Sequence, residues 1–252
     1  MTDINQKPDK TSAGIYLLPN LFTTASLFCG FYAILSAIDK NFLLAAILIF
    51  IAMIFDGCDG RIARLTNTCS EFGVQYDSLA DLVSFGVAPA ILLYQWTLYL
   101  IANEPLIPSK FGWLAAFVYC ACAALRLARF NTNVEITDKA YFVGLPSPSA
   151  GGLIAGFVWF SEHFGFMPKN LSLISAFLLI ICGFLMICNL PYFSGKSLKI
   201  NSKLPFVYAV IPAIVLGIVF LKPALMLFLL FSAYVIHAPI LCLWRKFSRR
   251  SS

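Results

Sequence analysis

Charge is what this chain has least of. Only 12% of its 252 residues are Asp, Glu, Lys or Arg, whereas 60% are hydrophobic, and the mean hydropathy is +0.84. A soluble domain of this size carries about a quarter charged residues, so that class is excluded. Apolar stretches long enough to cross ~30 Å of hydrocarbon recur along the chain, which predicts an all-α polytopic membrane protein. Other absences narrow the reading. The eight cysteines are scattered, with neither zinc-ligand spacing nor a disulfide framework, and read as small hydrophobes within helices. The first apolar run is too long for a cleaved signal peptide and lacks a convincing small-residue cleavage site. No internal repeat and no low-complexity tract occurs. The formal net charge of +6 does not imply nucleic acid, because the basic residues sort by membrane side.

Eight spans are predicted, at 19–38, 41–63, 74–101, 111–131, 147–163, 171–190, 204–221 and 223–243, separated by polar or Pro- and Gly-containing turns. An even count places both termini on one side. That side collects all the Lys and Arg residues except Lys40, Lys110, Lys169 and Lys222, leaving 14 of the 18. The positive-inside rule assigns it to the cytoplasm. The organisation expected is a tail over 1–18, a core of six spans over 19–190, two further spans over 204–243 and a basic tail over 244–252.

Against this apolar background stands one dense polar segment. Asp56-Gly57-Cys58-Asp59-Gly60-Arg61-Ile62-Ala63-Arg64 is followed by Gly73, Asp77 and Asp81 at spacings of four. Ionisable groups at membrane depth are costly and mark function by default. At ~100° per residue, Asp56, Asp59, Gly60 and Ala63 share a face at the cytoplasmic end of the second span. Asp77 and Asp81 share a face of the third, with Gly73 one turn earlier. A reversal through Thr66 to Phe72 brings the two helix ends side by side. Four converging carboxylates cannot all ionise unpaired, since like charge and poor hydration both oppose it. A bound cation reverses that logic. All-oxygen ligands favour Mg²⁺, Mn²⁺ or Ca²⁺, and four carboxylates suit two ions ~4 Å apart, a pair that clamps a phosphoryl group. Gly57 and Gly60 each cost a helix roughly 1 kcal/mol against Ala, and leave room for a bulky ligand near the backbone. Arg64 supplies a planar cation suited to a phosphate oxygen. The structural alternative is salt bridging of the aspartates to Arg61 and Arg64, but two arginines cannot neutralise four acids.

The pattern Asp56-x-x-Asp59-Gly60-x-x-Ala63-Arg64, eight residues, then Gly73-x-x-x-Asp77-x-x-x-Asp81 resembles the complete signature of the CDP-alcohol phosphatidyltransferases. It covers about a tenth of the chain, with every fixed position present. The resemblance implies CDP-diacylglycerol as the activated lipid, its diphosphate against two divalent cations. It implies Asp56, Asp59 and Asp77 as metal ligands, with Asp81 near the second metal and acting as general base. Gly60, Ala63, Arg64 and Gly73 would line the CDP site, and an alcohol would attack the lipid-bearing phosphorus in line, releasing CMP. Members of the family are commonly homodimers, which is carried over as an implication.

Weaker features address the acceptor. Leu18 to Thr23, Ala124 to Asn131 and Phe142 to Pro148 resemble matching segments of bacterial-type phosphatidylserine synthases, which makes L-serine the favoured alcohol. Arg126 and Arg129, three apart on one face at a span's cytoplasmic end, are candidates for the serine carboxylate, although both would serve equally as membrane-side anchors. Asn131 and Ser147 are candidates for further polar contacts. Pro146 and Pro148 around Ser147 set a helix start without needing a substrate, and Gly144 and Ser147 would border the pocket. Asn20 and Thr23 are candidates to contact the cytidine, with Asn20 equally a helix cap. His163 is expected in an exposed external loop and His237 bonded to a neighbouring helix. The competing functions are a sister enzyme using glycerol 3-phosphate or an inositol phosphate, a divalent-cation carrier, and a catalytically idle scaffold. A carrier would place its ions near the midplane on repeated, broken helices, which this sequence lacks.

Overall fold

The computed structural model describes residues 13–66, 70–103, 107–132, 141–193, 217 and 221–248; within these, the side chains of 13–18, 63–64, 141, 243 and 245–248 are left aside. The chain is an all-α, multi-pass membrane protein. Its helices are α1 (Ala13–Ile38), α2 (Phe42–Leu65), α3 (Glu71–Asp81), α4 (Ala88–Trp96), α5 (Phe111–Thr132), α6 (Ser147–His163), α7 (Ser172–Ile187) and α8 (Pro223–Ser248). A π-helical segment, Leu82–Val87, joins α3 to α4, and short 3-10 turns cover Leu98–Asn103 and Pro168–Leu171.

Among the described residues six helical spans are long and apolar enough to cross a membrane. At 17 residues α6 is shorter than the ~20 a full crossing uses, yet residues 150–158 are all buried within the bundle. The predicted span at 204–221 lies almost wholly outside the described residues. The lipid-facing surface is legible in α7, where Ile174, Phe177, Ile181 and Phe184 are each more than half exposed at steps of three and four. A stripe of large apolar side chains like this belongs in hydrocarbon.

Small residues draw the helices together. Asn41 caps α2 by accepting from the Leu44 amide, and Lys40 turns the hairpin with φ of 61°. Ala33, Ala37, Ala45, Ala46 and Ala52 are all at most 1% exposed, letting α1 and α2 pack along their length. The third span, from Glu71 to Trp96, runs through the middle against α1, α5 and α6. A Cβ on Gly30 of α1 would stand 2.7 Å from the Ser84 Cα, so glycine is what permits that crossing. Ser26 ties three elements, donating to the Ala52 carbonyl while accepting from the Ser84 hydroxyl.

Prolines inside helices explain two cross-element bonds. Proline removes one helical donor and pushes away the carbonyl four residues back. Pro89 does this to Phe85, whose carbonyl accepts from the Tyr119 hydroxyl of α5 at 2.8 Å. Pro239 does it to Val235, whose carbonyl accepts from Tyr192 at 3.1 Å. Each freed carbonyl is buried and is satisfied by a tyrosine from another element.

Several expectations are corrected. Asn20 is not a cap: α1 begins seven positions earlier, at Ala13, so part of the predicted tail is helical. At the other end α8 continues through Ser248 into the predicted basic tail. The third span is interrupted by the π segment immediately after Asp81, the kind of local widening that recurs at functional sites. The fold also holds a small antiparallel ribbon, β1 (Tyr141–Val143) with β2 (Pro191–Phe193), pairing Phe142 with Tyr192. His237 contacts the Tyr234 carbonyl of its own helix rather than a neighbouring one, because its ring stacks edge-on to Tyr192. His163 is exposed, as expected.

The ribbon returns to α6 through Gly144. This residue has φ of 83°, and an added Cβ would lie 2.4 Å from the Met186 carbonyl oxygen. Both faults act together, so Gly144→Ala should cost roughly 1–3 kcal/mol. The expected result is a lowered unfolding midpoint in detergent; an unchanged midpoint would show that the turn relaxes freely.

Candidate active site

The site forms where the acidic-motif ends of α2 and α3 meet. Ser70 caps α3 by accepting from the Gly73 amide at 3.0 Å, which starts the helix where Asp77 and Asp81 turn toward α2. Ligand oxygens of Asp56, Asp59 and Asp77 lie within 4.8 Å of one another. Asp59 is buried, and the Thr23 hydroxyl of α1 donates to its Oδ2 at 2.7 Å. Asp81 stands outside this trio but within hydrogen-bonding reach of Asp56, and both feel the charge of Arg126 on α5. Among the described side chains the cation these acids face is Arg126; Arg61 is exposed at the surface.

The carboxylates open onto a cavity of about 670 Å³ lined by parts of α2, α3, α5, the start of α6 and the turn before it, β1, β2 and α8. Gly57 and Gly60 are exposed, with nothing within 4 Å of an added Cβ. Of the two, Gly60 lines the cavity. Three carboxylates whose oxygens lie this close form an all-oxygen donor set that fits divalent metal.

The structure gathers some predicted residues and separates others. Asp56, Asp59, Gly60, Asp77, Asp81, Arg126 and Asn131 line the cavity. Thr23 does not; its hydroxyl reaches Asp59 from α1. Asn20 sits beside Gly73, its Oδ1 3.7 Å from where a Cβ would project. Ala63 and Arg64 lie within α2, and their side chains fall outside the described ones.

Arg129 is also away from the cavity. Its guanidinium donates to the Ile187 carbonyl at 3.0 Å, tying α5 to the end of α7. Three residues along a helix advance 300°, and that offset is enough to separate the two arginines here. Ser147 is fully buried behind Arg126, accepting from its Nη1 at 2.9 Å, so it positions the guanidinium instead of bordering the pocket. Gly144 is likewise buried away from the lining. Arg126 Nε is buried and has no hydrogen-bond partner among the described residues.

Other lining residues were not anticipated. Ser78 and Asn131 exchange side-chain hydrogen bonds, and Asn131 also donates to Gln75 at 3.1 Å. Pro148, Ser149, Phe193 and Tyr234 complete the far wall. Tyr234 comes from α8, so the last helix belongs to the site. Beside it, burial pushes the Tyr192 phenol well above the ordinary tyrosine range, keeping it protonated as the donor to Val235.

A model of the CDP-alcohol phosphatidyltransferase family matches residues 16–237, which span the acidic cluster, Arg126 and Tyr234. The chain belongs to that family. Curated relatives match over most of their own length. A Helicobacter pylori protein named CDP-diacylglycerol–serine O-phosphatidyltransferase is 35% identical over 226 residues, 90% of this chain and 91% of its own. A Methanocaldococcus jannaschii protein of the same name is 38% identical over 188 residues, covering 74% and 80%. One from Mycobacterium leprae is 31% identical over 235 residues, covering 91% and 76%. The acidic cluster is compatible with the divalent-cation chemistry of a CDP-alcohol phosphatidyltransferase, and the surrounding helices embed the transferase in the membrane.

Proposed function

We propose that this transferase makes phosphatidylserine and CMP from CDP-diacylglycerol and L-serine. The observation that carries the reading is the joint placement of the Asp56–Asp59–Asp77 cluster and Arg126 around one cavity, with Asp81 between them.

In this reading Asp56, Asp59 and Asp77 would hold two divalent cations, Mg²⁺ or Mn²⁺, and Asp81 lies next to this cluster through Asp56. Once bound, the cations offset negative charge on the diphosphate and on the departing CMP. Gly60 leaves the α2 backbone open to the nucleotide, and Thr23 fixes the Asp59 carboxylate. Asp81 accepts the proton of the serine hydroxyl as its oxygen attacks the lipid-bearing phosphorus. A P–O bond to serine forms, the diphosphate P–O bond breaks, and CMP carries the electron pair away. Arg126 holds the serine carboxylate. Its buried Nε, without a partner among the described residues, favours this role, because a buried donor without an acceptor costs ~1–3 kcal/mol.

The sister acceptors fit less well. Glycerol 3-phosphate and inositol phosphate bring a dianionic group, yet among the described residues lining the cavity Arg126 is the only cation. The bias of Lys and Arg toward the side of the acidic motif supports a cytoplasmic active site in the cell membrane. Homodimers, common in the family, are proposed here too.

Purified enzyme given CDP-diacylglycerol should release CMP with L-serine at a rate at least ~100-fold above that with glycerol 3-phosphate or inositol phosphate, a discrimination within reach of charged-site recognition. CMP release with either phosphorylated alcohol but not serine would overturn the acceptor assignment. Release with no alcohol of the panel, in the presence of Mg²⁺ or Mn²⁺, would overturn the enzymatic reading itself.

A further inference from the structure

We propose that Tyr234, on the C-terminal helix, sets the specificity of the acceptor end of the cavity. The inference deepens the serine-transferase reading and rests on it. The polar groups of the site run in sequence: Asp59 and Asp77 meet Asp56, Asp56 meets Asp81, Asp81 faces Arg126, and Arg126 faces Tyr234. The diphosphate end and the acceptor end are thereby distinguished, and Tyr234 stands at the latter. It is the α8 contribution to the lining among the described residues.

The helix that carries it is held in place. Gly152 and Gly156 of α6 leave a groove into which Phe231 and Phe228 fit; a Cβ at Gly152 would meet the Phe231 ring at 2.8 Å, and one at Gly156 the Phe228 Cα at 3.2 Å. Phe228, Phe231 and Tyr234 follow at steps of three, so one side of α8 leads from the packed groove to the cavity. Two tyrosines then lock α8 to β2 in opposite directions. Tyr234 donates to the Phe193 carbonyl at 3.0 Å, and Tyr192 donates to the Val235 carbonyl at 3.1 Å. Only the first faces the cavity; Tyr192 is fully buried.

A fixed aromatic ring beside an anion-binding guanidinium does two things. It limits the volume left for the acceptor, and it keeps water from the space where the attacking hydroxyl must sit. Serine is small enough to fit such a space. Water is the competitor that the wall must exclude: its attack on the same phosphorus would break the same diphosphate bond, yielding phosphatidic acid and CMP.

The test compares Tyr234→Ala, Tyr234→Phe and Tyr192→Phe, reading KM for each substrate, kcat, and the ratio of CMP to phosphatidylserine formed. Tyr234→Ala should raise KM for serine about tenfold and leave KM for CDP-diacylglycerol within about twofold, with phosphatidic acid appearing and CMP exceeding phosphatidylserine. Tyr234→Phe keeps the ring and loses its tether, so KM for serine should rise only about threefold with the product ratio near one. Tyr192→Phe removes the companion bond without touching the cavity; it should lower thermal stability and leave KM for serine unchanged. The proposal is overturned if Tyr234→Ala keeps wild-type KM and product ratio, if both KM values rise together, or if Tyr192→Phe reproduces the Tyr234→Phe kinetics. Where Tyr234→Ala does not fold, the Phe pair decides alone. If the wild-type enzyme proves to use another alcohol, the serine reading fails separately, and an unchanged KM for that alcohol in the same variants overturns the Tyr234 assignment.

Discussion

Asp81→Asn should lower turnover by about 10²–10⁴, the range that a positioned general base contributes, while leaving affinity for CDP-diacylglycerol within about threefold. The substitution keeps side-chain size and hydrogen-bonding capacity next to Asp56, and removes only the ability to take a proton. The placement of Asp81 motivates the prediction. It lies outside the trio whose oxygens cluster within 4.8 Å, yet touches Asp56 on one side and faces Arg126 on the other. A serine held by Arg126 would thus present its hydroxyl beside this carboxylate. CMP release and equilibrium binding of CDP-diacylglycerol, measured on the same preparation, separate the two effects. Near-normal turnover would remove Asp81 as the base. A parallel loss of Mn²⁺ binding would instead place it among the metal ligands.

How much of this was legible in the sequence depended on how far apart in the chain the interacting residues lie. The acidic motif could be read because its spacings are intrahelical: 56 with 59 and 77 with 81 fix a shared face by helix geometry alone. The hairpin that opposes the two faces followed from the short polar reversal after α2. Spans 111–131 and 147–163 matched α5 and α6 closely, since the polar turns around them are unambiguous. The bond from Thr23 to Asp59 is not legible, because its partner is 36 residues away on another helix. Arg129 was paired with Arg126 by spacing, but the end of α7 supplies a carbonyl that only tertiary packing brings near. Ser147 was placed in the pocket for the same reason; the Arg126 guanidinium stands in front of it.

Tyr234 had a signal that was not used. Phe228, Phe231 and Tyr234 step along one side of the last helix, and Pro239 predicts a freed carbonyl at Val235 that some donor must satisfy. Pro89 carries the same message for Phe85, and would have pointed to the disturbed helix that follows Asp81. What no pattern in the sequence states is which tyrosine answers each carbonyl.

Metal removal is the other large effect, and its logic rests on Asp59. Chelation with EDTA should abolish CMP release, and Mn²⁺ or Mg²⁺ added in excess should restore it. Asp59→Ala should be inactive by about 10³-fold, equivalent to ~4 kcal/mol of lost transition-state stabilisation, and excess metal should recover it only in part. Asp59 is the most buried of the four acids, at 5% exposure, so an ion bound there would have little water to replace the missing oxygen. Thr23→Val leaves the carboxylate and removes only the hydroxyl that orients it, and partners of this kind typically tune metal affinity by ~10–100-fold. Mn²⁺ titration followed by electron paramagnetic resonance reads binding without reference to turnover. The expected order of affinity is wild type, Thr23→Val, then Asp59→Ala, with activity following the same order and approaching wild type for Thr23→Val at saturating metal. If Thr23→Val binds Mn²⁺ as tightly as wild type but turns over slowly, the threonine acts on substrate after all, and the cytidine contact expected from sequence regains its place. If Asp59→Ala retains wild-type Mn²⁺ affinity, the clustered carboxylates are not the metal site, and the proposed chemistry of the cavity loses its foundation.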